Sequence, residues 1–333
     1  MPMVRDRPSG AFLSDAPKQV ARVYGPESLD RLAQVLEFRT DVIRSADLKR
    51  AREVDYVFST WGMPNLSERE WRGLPNLRAV FYAAGSVHSF ARPLLKTGIR
   101  LFSAWEANAV PVAEYCLAQI LLAGKGFLPV TQGLRERGKE AWNPVLARGN
   151  RGQVVALLGA GKVGRALIRL LQPFNMRLLV FDPFLTDDQA RALGVEKVDL
   201  ESAFRRGQVV SNHLADVPDT RGMIGRSLLG SMPHGALFLN TGRGATVDEA
   251  ALWVVLRERP DLYAVLDVCA SEPPPPDSPA YRLPNVFLSP HVAGSLGSEL
   301  QDMAFAMINE LESLLRGGPL HAEVTEDMLA RMA

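Results

Sequence analysis

The sequence predicts a two-domain α/β protein, with a six-stranded parallel sheet in its second part and a smaller α/β unit before it. Three observations lead there. The chain has 333 residues, too many for one compact core and well suited to two domains. From about residue 153, short β-rich apolar runs recur as QVVALL (153–158), RLLVF (177–181), QVVSNHL (208–214), ALFLN (236–240), YAVLD (263–267) and NVFLS (285–289). Most gaps between them have room for a helix or a shorter crossover. Continuous apolar runs suit strands buried on both faces, and strand–helix alternation implies a parallel sheet with right-handed crossovers.

Earlier elements are less regular. DYVFST (55–60), RAVFYAA (78–84) and RLFSA (100–104) read as strands, and SLDRLAQVLE (28–37) as a helix. No strand is assigned before residue 20. A helix carrying VAEYCLAQILLAG is expected to begin near Asn108 or Pro111 and to join the two domains. The last helix is expected from Ser298, where SELQ has the form of a capping box. Leu300, Met303, Ala304, Met307, Ile308, Leu311 and Leu315 then recur at three- and four-residue intervals, an amphipathic face, and Gly317-Gly318 ends it. Following the last sheet strand, this helix is expected to return to the first domain. The division expected is residues 1–104 with 291–333, and 105–290, with a cleft between the domains.

Composition excludes several classes. Lys plus Arg is 38 against 37 for Asp plus Glu, a balance that gives no global field for nucleic acid or an anionic membrane. Cys116 and Cys269 lie in apolar runs without metal-ligand spacing and read as small buried hydrophobes, and no metal is expected. The opening MPMVRDRPSGAFLSDAP has charges and prolines where a secretory leader needs an apolar core. The apolar stretch 110–130 is interrupted by Pro111, Glu114, Lys125 and Pro129. A soluble, cytoplasmic protein is expected, with no membrane partner.

The first motif with chemistry is VVALLGAGKVGRAL, which places Gly159-x-Gly161-x-x-Gly164 directly after a strand and at the start of a helix. Glycines so spaced allow a tight turn, close approach of a pyrophosphate, and close helix–strand packing. The phosphates would meet free N–H groups at the helix N-terminus, with Lys162 adding a cation. A lone GxGxxG is weak, but the next strand ends in Asp182, eighteen residues after Gly164. An acid there accepts hydrogen bonds from the adenosine ribose hydroxyls and repels a 2′-phosphate. Its competing role is to open a turn before Pro183. The expectation is a Rossmann domain binding NAD, with NADP less favoured.

Three further segments fall at C-terminal strand ends, where ligands bind in open α/β sheets. LNTGRGATVDEAAL sets Arg243 between two glycines, LDVCASEPPPP carries Asp267 and Glu272, and LSPHVAGS carries His291. A glycine-flanked arginine suits a carboxylate, which its planar fork grips through two hydrogen bonds. A histidine beside a carboxylate suits acid/base catalysis, because the acid fixes the tautomer and stabilises the imidazolium. Each residue also has an ordinary reading: a helix cap for Arg243, a solvated acid for Glu272, a structural histidine for His291.

Together these segments resemble the NAD-dependent D-2-hydroxyacid dehydrogenases, a group that includes glyoxylate/hydroxypyruvate reductases, phosphoglycerate dehydrogenases and D-lactate dehydrogenases. The resemblance covers residues 55–318 and is strongest over 154–294, in LLGAGKVG, FDPF, DTRGMIG, LNTGRGATVDEAAL, LDVCASEP and SPHVAG. NAVPVAEY (108–115) resembles the segment that opens the first long helix of the family's cofactor domain. The resemblance implies a Rossmann cofactor domain and a smaller, discontinuous flavodoxin-like substrate domain. It implies Arg243, Glu272 and His291 as catalytic residues, and Gly159, Gly161, Lys162, Val163, Gly164, Asp182, Thr241, Gly242, Asp267 and Gly294 at the cofactor. Asp267 matches a residue near the nicotinamide carboxamide.

For the substrate it implies Gly85, Ser86, Asn108 and Trp61, a small 2-oxo or 2-hydroxy carboxylic acid as ligand, and a homodimer through the cofactor domains. The loop YAAGSVHSF (82–90) departs from the family pattern, being shorter and lacking its acid, although amides at 84–87 remain to bind a carboxylate. Trp61 stands where several relatives have a smaller or basic side chain, which argues against a phosphorylated substrate; it reads equally as a core tryptophan. The Glu272–His291 pair argues against the formate dehydrogenase branch. Two alternatives remain open: an NAD-sensing corepressor-like binding protein of the same fold, and a dehydrogenase of amino or sugar acids.

Overall fold

A computed structural model describes residues 7–142 and 148–330. The chain divides into two compact units, Met1–Asn108 with Ser295–Ala333, and Ala109–Gly294. His291 therefore lies in the same unit as Arg243 and Glu272.

In chain order the strands are β1 (Ser9–Leu13), β2 (Glu37–Ile43), β3 (Tyr56–Ser59), β4 (Ala79–Tyr82) and β5 (Arg100–Ser103). The second unit adds β6 (Val154–Leu158), β7 (Arg177–Phe181), β8 (Glu196–Lys197), β9 (Val209–Asn212), β10 (Leu237–Asn240), β11 (Tyr263–Leu266) and β12 (Val286–Leu288). The chain then returns to the first unit through helix Glu299–Leu315 and β13 (Glu323–Val324).

The first unit is a six-stranded sheet ordered β13-β5-β4-β3-β1-β2, parallel except for β13, which pairs antiparallel with β5. Phe58, Phe81 and Phe102 occupy facing positions on β3, β4 and β5 and stack at 5.0 and 4.8 Å between ring centroids. Aromatic pairs across neighbouring strands stabilise a sheet face beyond simple area burial. Onto that face helix Glu299–Leu315 packs Leu300, Met303, Ala304, Met307, Ile308 and Leu311. Leu315, expected on the same stripe, is 39% exposed because it sits in the final turn. Gly317, at φ 68°, closes the helix, with N–H groups of Gly318 and Gly317 donating to the Ser313 and Leu314 carbonyls at 2.8 and 3.2 Å. That is a Schellman ending.

At the start of this helix the expected capping box is absent. Ser298 makes no side-chain cap, and Glu299 instead accepts from the Leu296 N–H at 2.8 Å. Ser298 has helical backbone angles, so its hydroxyl is not offered to the first-turn amides.

The second unit is a seven-stranded, all-parallel sheet ordered β12-β11-β10-β9-β6-β7-β8. Six strands match the apolar runs; the seventh, β8, is an exposed Glu-Lys pair at the sheet edge. The order turns back at β6 and β9, the switch point beside which ligands of open α/β sheets bind.

The joining helix runs from Trp105 to Gly124 with Pro111 inside it, starting earlier than expected. Pro111 lies past the four N–H groups that a helix start leaves free, so it removes the bond that the Ala107 carbonyl would otherwise accept. Among the described residues this helix is long and apolar enough to cross a membrane. Its Ala109, Val112, Ala113, Cys116 and Ile120 are nevertheless buried within the fold. Val110 and Leu122 of the same helix are exposed.

Candidate active site

The glycine loop between β6 and helix Lys162–Leu171 has the geometry its motif requires. Gly159 has φ 99°, and a Cβ there would lie 2.9 Å from the His213 carbonyl oxygen. At Gly164 a Cβ would meet the Gly159 carbonyl oxygen at 2.1 Å, so only glycine lets the helix seat against the loop. A Cβ at Gly161 would meet nothing within 4 Å, leaving open space over the helix N-terminus. Lys162 is exposed beside it, and Val163 packs into the core of the unit. Open space at a helix N-terminus fits a pyrophosphate.

Asp182 takes the turn role read for it, and a second bond links that turn to the glycine loop. Its Oδ1 accepts from the Phe184 and Leu185 N–H groups at 2.7 and 3.1 Å, which shapes the turn after β7. Its Oδ2 accepts from the Ala160 N–H at 2.7 Å, which ties that turn to the glycine loop. A depression of about 510 Å³ adjoins it, lined by Asp182, Lys197, Asp199 and Ser202 among others.

At the C-terminal ends of β10, β11 and β12, Arg243, Glu272 and His291, the three residues expected to react, are organised by backbone contacts. His291 Nδ1 lies 2.6 Å from Glu272 Oε2. The histidine side chain is 53% exposed and the glutamate 39%, so as an ion pair it adds only about 0–1 kcal/mol of stability. His291 has φ 54°, the left-handed region that side-chain-bearing residues avoid. Such a conformation persists only where its surroundings over-determine it, and it concentrates at functional sites.

The surroundings that impose it belong to Asp267. This acid is 3% exposed and accepts from Ser289 Oγ at 2.7 Å, the Val292 N–H at 2.8 Å and the Ala293 N–H at 3.0 Å. Its own carbonyl accepts the His291 N–H at 3.0 Å. One buried carboxylate thus fixes both flanks of the histidine.

Arg243 follows β10. Its Nη1 donates to the Gly242 carbonyl at 2.7 Å, and it makes no ion pair at salt-bridge distance among the described residues. Burial pulls its pKa below the usual arginine value, while the charges of Glu272 and Asp216 oppose that shift. A largely covered guanidinium with most donors uncommitted is matched to an incoming anion. Gly242 N–H donates to Asn240 Oδ1 at 3.1 Å, and Thr241 Oγ1 lies 3.2 Å from Cys116 Sγ. Cys116 is buried as expected, whereas Cys269 is half-buried.

In the first unit, Trp61 and Gly85-Ser86 follow the C-terminal ends of β3 and β4, and Asn108 lies beyond β5. The Thr60 hydroxyl donates to the Ala83 carbonyl at 2.8 Å, holding the first two turns together. A Cβ on Gly85 would lie 3.4 Å from Asn108 Nδ2, and Asn108 Oδ1 accepts the Ser295 N–H at 3.1 Å. Trp61 is 36% exposed, which removes the core-tryptophan reading.

A model of the D-isomer specific 2-hydroxyacid dehydrogenase NAD-binding domain matches residues 117–293. Glyoxylate reductase of Korarchaeum cryptofilum is 31% identical over 274 residues, 81% of this chain and 82% of that protein. The chain belongs to the D-isomer specific 2-hydroxyacid dehydrogenase family. A D-3-phosphoglycerate dehydrogenase of Archaeoglobus fulgidus is 29% identical over 68% of this chain but only 43% of its own length. In fold, D-mandelate dehydrogenase of Rhodotorula graminis superposes with a TM-score of 0.79 at 21% identity, covering 96% of this chain and 98% of its own. The protein is thus an NAD-dependent oxidoreductase of this family.

Two contacts near the expected site residues are not read from the sequence, although Tyr115 ends the NAVPVAEY segment. Tyr115 Oη lies 2.9 Å from Ser289 Oγ, which donates to Asp267, so the joining helix braces the histidine loop. The second is His213, whose Nε2 lies 2.9 Å from Ser211 Oγ and whose Nδ1 lies 3.4 Å from Thr241 Oγ1. Burial pushes its pKa down to about 4. The unfolded chain therefore takes up a proton at this residue below its ordinary value of 6.5, while the folded dehydrogenase does not until about pH 4. Stability from this group is complete above pH 6.5 and is lost as pH falls toward 4, by at most about 3 kcal/mol. Urea unfolding at pH 7 and pH 5 should show a smaller pH-dependent loss in His213→Asn than in the wild type; equal losses would remove His213 from the explanation.

Proposed function

We propose that this dehydrogenase interconverts a small 2-oxo acid and its D-2-hydroxy acid, with Arg243, Glu272 and His291 as the reacting set. The observation that carries the reading is the 2.6 Å His291–Glu272 pair on a loop held by buried Asp267. Glu272 accepts the Nδ1 proton, which leaves Nε2 as the nitrogen that gives a proton to the substrate's keto oxygen. Arg243, charged and without a carboxylate partner among the described residues, grips the substrate carboxylate and polarises the keto group. Its charge also stabilises negative charge developing on that oxygen.

Gly159, Gly161, Lys162, Val163 and Gly164 are assigned to the cofactor pyrophosphate, Asp182 to the adenosine ribose, and Thr241, Gly242, Asp267 and Gly294 to the nicotinamide end. NAD(H) supplies hydride chemistry when bound, and the protein supplies orientation and charge. Buried Asp267 spends its carboxylate on the 289–293 loop, so its part in the reading is to hold that loop. Gly85, Ser86, Asn108 and Trp61 are assigned to substrate binding, on the strength of the sequence resemblance. Exposed Val110, Leu122, Phe127 and Trp142 in the second unit support a homodimer through the cofactor domains. Action in the cytoplasm belongs to the same proposal.

The reading is tested by NAD reduction with D- and L-2-hydroxy acids offered separately. Turnover of the D-isomer alone is expected; preference for the L-isomer would refute the assignment. Asp182→Ala should weaken NADH about 10- to 100-fold more than NADPH, the scale of losing a hydrogen bond to a charged group. Asp182 also holds Ala160, so both cofactors should weaken somewhat, and the NADH/NADPH ratio is the discriminating quantity. An unchanged ratio would leave Asp182 as a turn residue only.

A further inference from the structure

We infer that Glu249 is a positioning residue that holds the Glu272 loop in place for proton transfer by His291. The inference rests on the proposed 2-oxo acid reduction and adds a residue to its machinery. After β11 the chain from Val268 to Glu272 has no regular secondary structure. Within it the Cys269 N–H donates to Glu272 Oε1 at 3.3 Å, a bond local to the loop. The Ala270 N–H donates to Glu249 Oε1 at 2.5 Å. Among the described residues, and beside the Glu272–His291 pair itself, this second bond is the one that ties 268–272 to the rest of the fold.

Glu249 is well anchored to play that part. It is the first residue of helix Glu249–Glu258, whose N-cap, Asp248, accepts the Ala251 N–H at 3.0 Å. The chain leading to that helix begins at Arg243, and its next residue supports the same loop from beneath. A Cβ on Gly244 would lie 2.0 Å from the Cys269 carbonyl carbon and 2.4 Å from the Ala270 nitrogen. The arginine segment and the glutamate loop therefore touch backbone to backbone, and the Glu249–Ala270 bond fixes their register. Burial, then the charges of Glu249, Glu272 and Asp267, hold the Cys269 thiol pKa up at about 11, which places these acids around one point of the loop. Releasing Ala270 frees the backbone that carries Glu272, and with it the carboxylate that orients the imidazole.

The test compares full-length Glu249→Ala and Glu249→Gln with the wild type, by kcat for 2-oxo acid reduction, NADH Kd and the rate of Cys269 alkylation by iodoacetamide. The amide of Glu249→Gln keeps an acceptor for Ala270 and removes the charge. Glu249→Ala is expected to lower kcat about 10- to 100-fold, the scale of a misplacement near 1 Å, with NADH Kd and melting temperature nearly unchanged. Glu249→Gln should restore most of kcat. Alkylation of Cys269 should be faster in Glu249→Ala than in Glu249→Gln, which share the loss of charge and differ in the hydrogen bond.

Retained kcat in Glu249→Ala, or a loss in Glu249→Gln as deep as in Glu249→Ala, would overturn the inference, as would equal alkylation rates. Should Glu249→Ala fail to fold, Glu249→Asp keeps the charge at the helix start, withdraws the carboxylate by one methylene and carries the same expectation. A wild type that reduces no 2-oxo acid would refute the proposed reaction, while the alkylation comparison would still decide whether Glu249 holds the loop.

Discussion

His291→Gln is expected to lower turnover by about 10²- to 10⁴-fold, the range contributed by general acid–base catalysis, with NADH Kd nearly unchanged. Glutamine keeps a polar side chain of similar reach but has no group that exchanges a proton near neutral pH. The native histidine lies on a loop fixed through the Asp267 carboxylate and carbonyl, so the substitution should leave the loop in place. Its partially exposed pairing with Glu272 adds little stability, so loss of folding is not the expected cause. Single-turnover reduction with NADH pre-bound separates the effects. A slow chemical step with normal cofactor binding fits a proton donor; a normal step would return His291 to a structural role.

Arg243→Lys should lower kcat/KM about 100-fold or more, with NADH Kd little changed. Lysine preserves one positive charge but replaces a rigid planar fork by a flexible point charge, so bidentate grip of a carboxylate is lost. Electrostatic stabilisation of the developing oxyanion weakens as well, and one such donor is worth roughly 10²- to 10³-fold in kcat. Steady-state kinetics with a 2-oxo acid and with the matching aldehyde, which has no carboxylate, locates the effect. Arg243→Lys should hurt the oxo acid far more than the aldehyde. Equal losses would mean that Arg243 does not bind the carboxylate.

The parts of this molecule that sequence reading recovered share a physical origin. β6 and residues 237–239 of β10 are continuous apolar runs because both sheet faces are covered, and Gly164 is glycine because a carbonyl lies where its Cβ would be. Such demands act locally and leave a local pattern. β8 escaped because an edge strand of two exposed charged residues has no apolar pattern, and β2 because its EFRTDVI is largely exposed. β1 is fully buried, yet SGAFL contains a glycine that weakens a strand signal. Gly10 is there because a Cβ would meet Leu36 and Phe38 side chains at 2.6 and 2.8 Å, partners distant in sequence.

The site divides in the same way. Arg243, Glu272 and His291 stood out because each is a chemically distinctive residue just past a strand. Glu249, Tyr115 and Ser289 did not, because their roles depend on contacts across 21 and 174 positions of the chain. Asp267 was read as a cofactor neighbour, while its hydrogen bonds commit it to the 289–293 loop. The Ser298 capping pattern was present in sequence but unused, because the backbone at Ser298 is already helical.

The most direct measurement is NADH oxidation by the purified protein with glyoxylate, hydroxypyruvate, pyruvate, phenylpyruvate and 3-phosphohydroxypyruvate, each run beside the His291→Gln variant. Rapid turnover of at least one 2-oxo acid by the wild type, and its loss in the variant, is the expected result. Turnover that survives in His291→Gln, or none across the panel while NADH still binds, would contradict the proposed reaction.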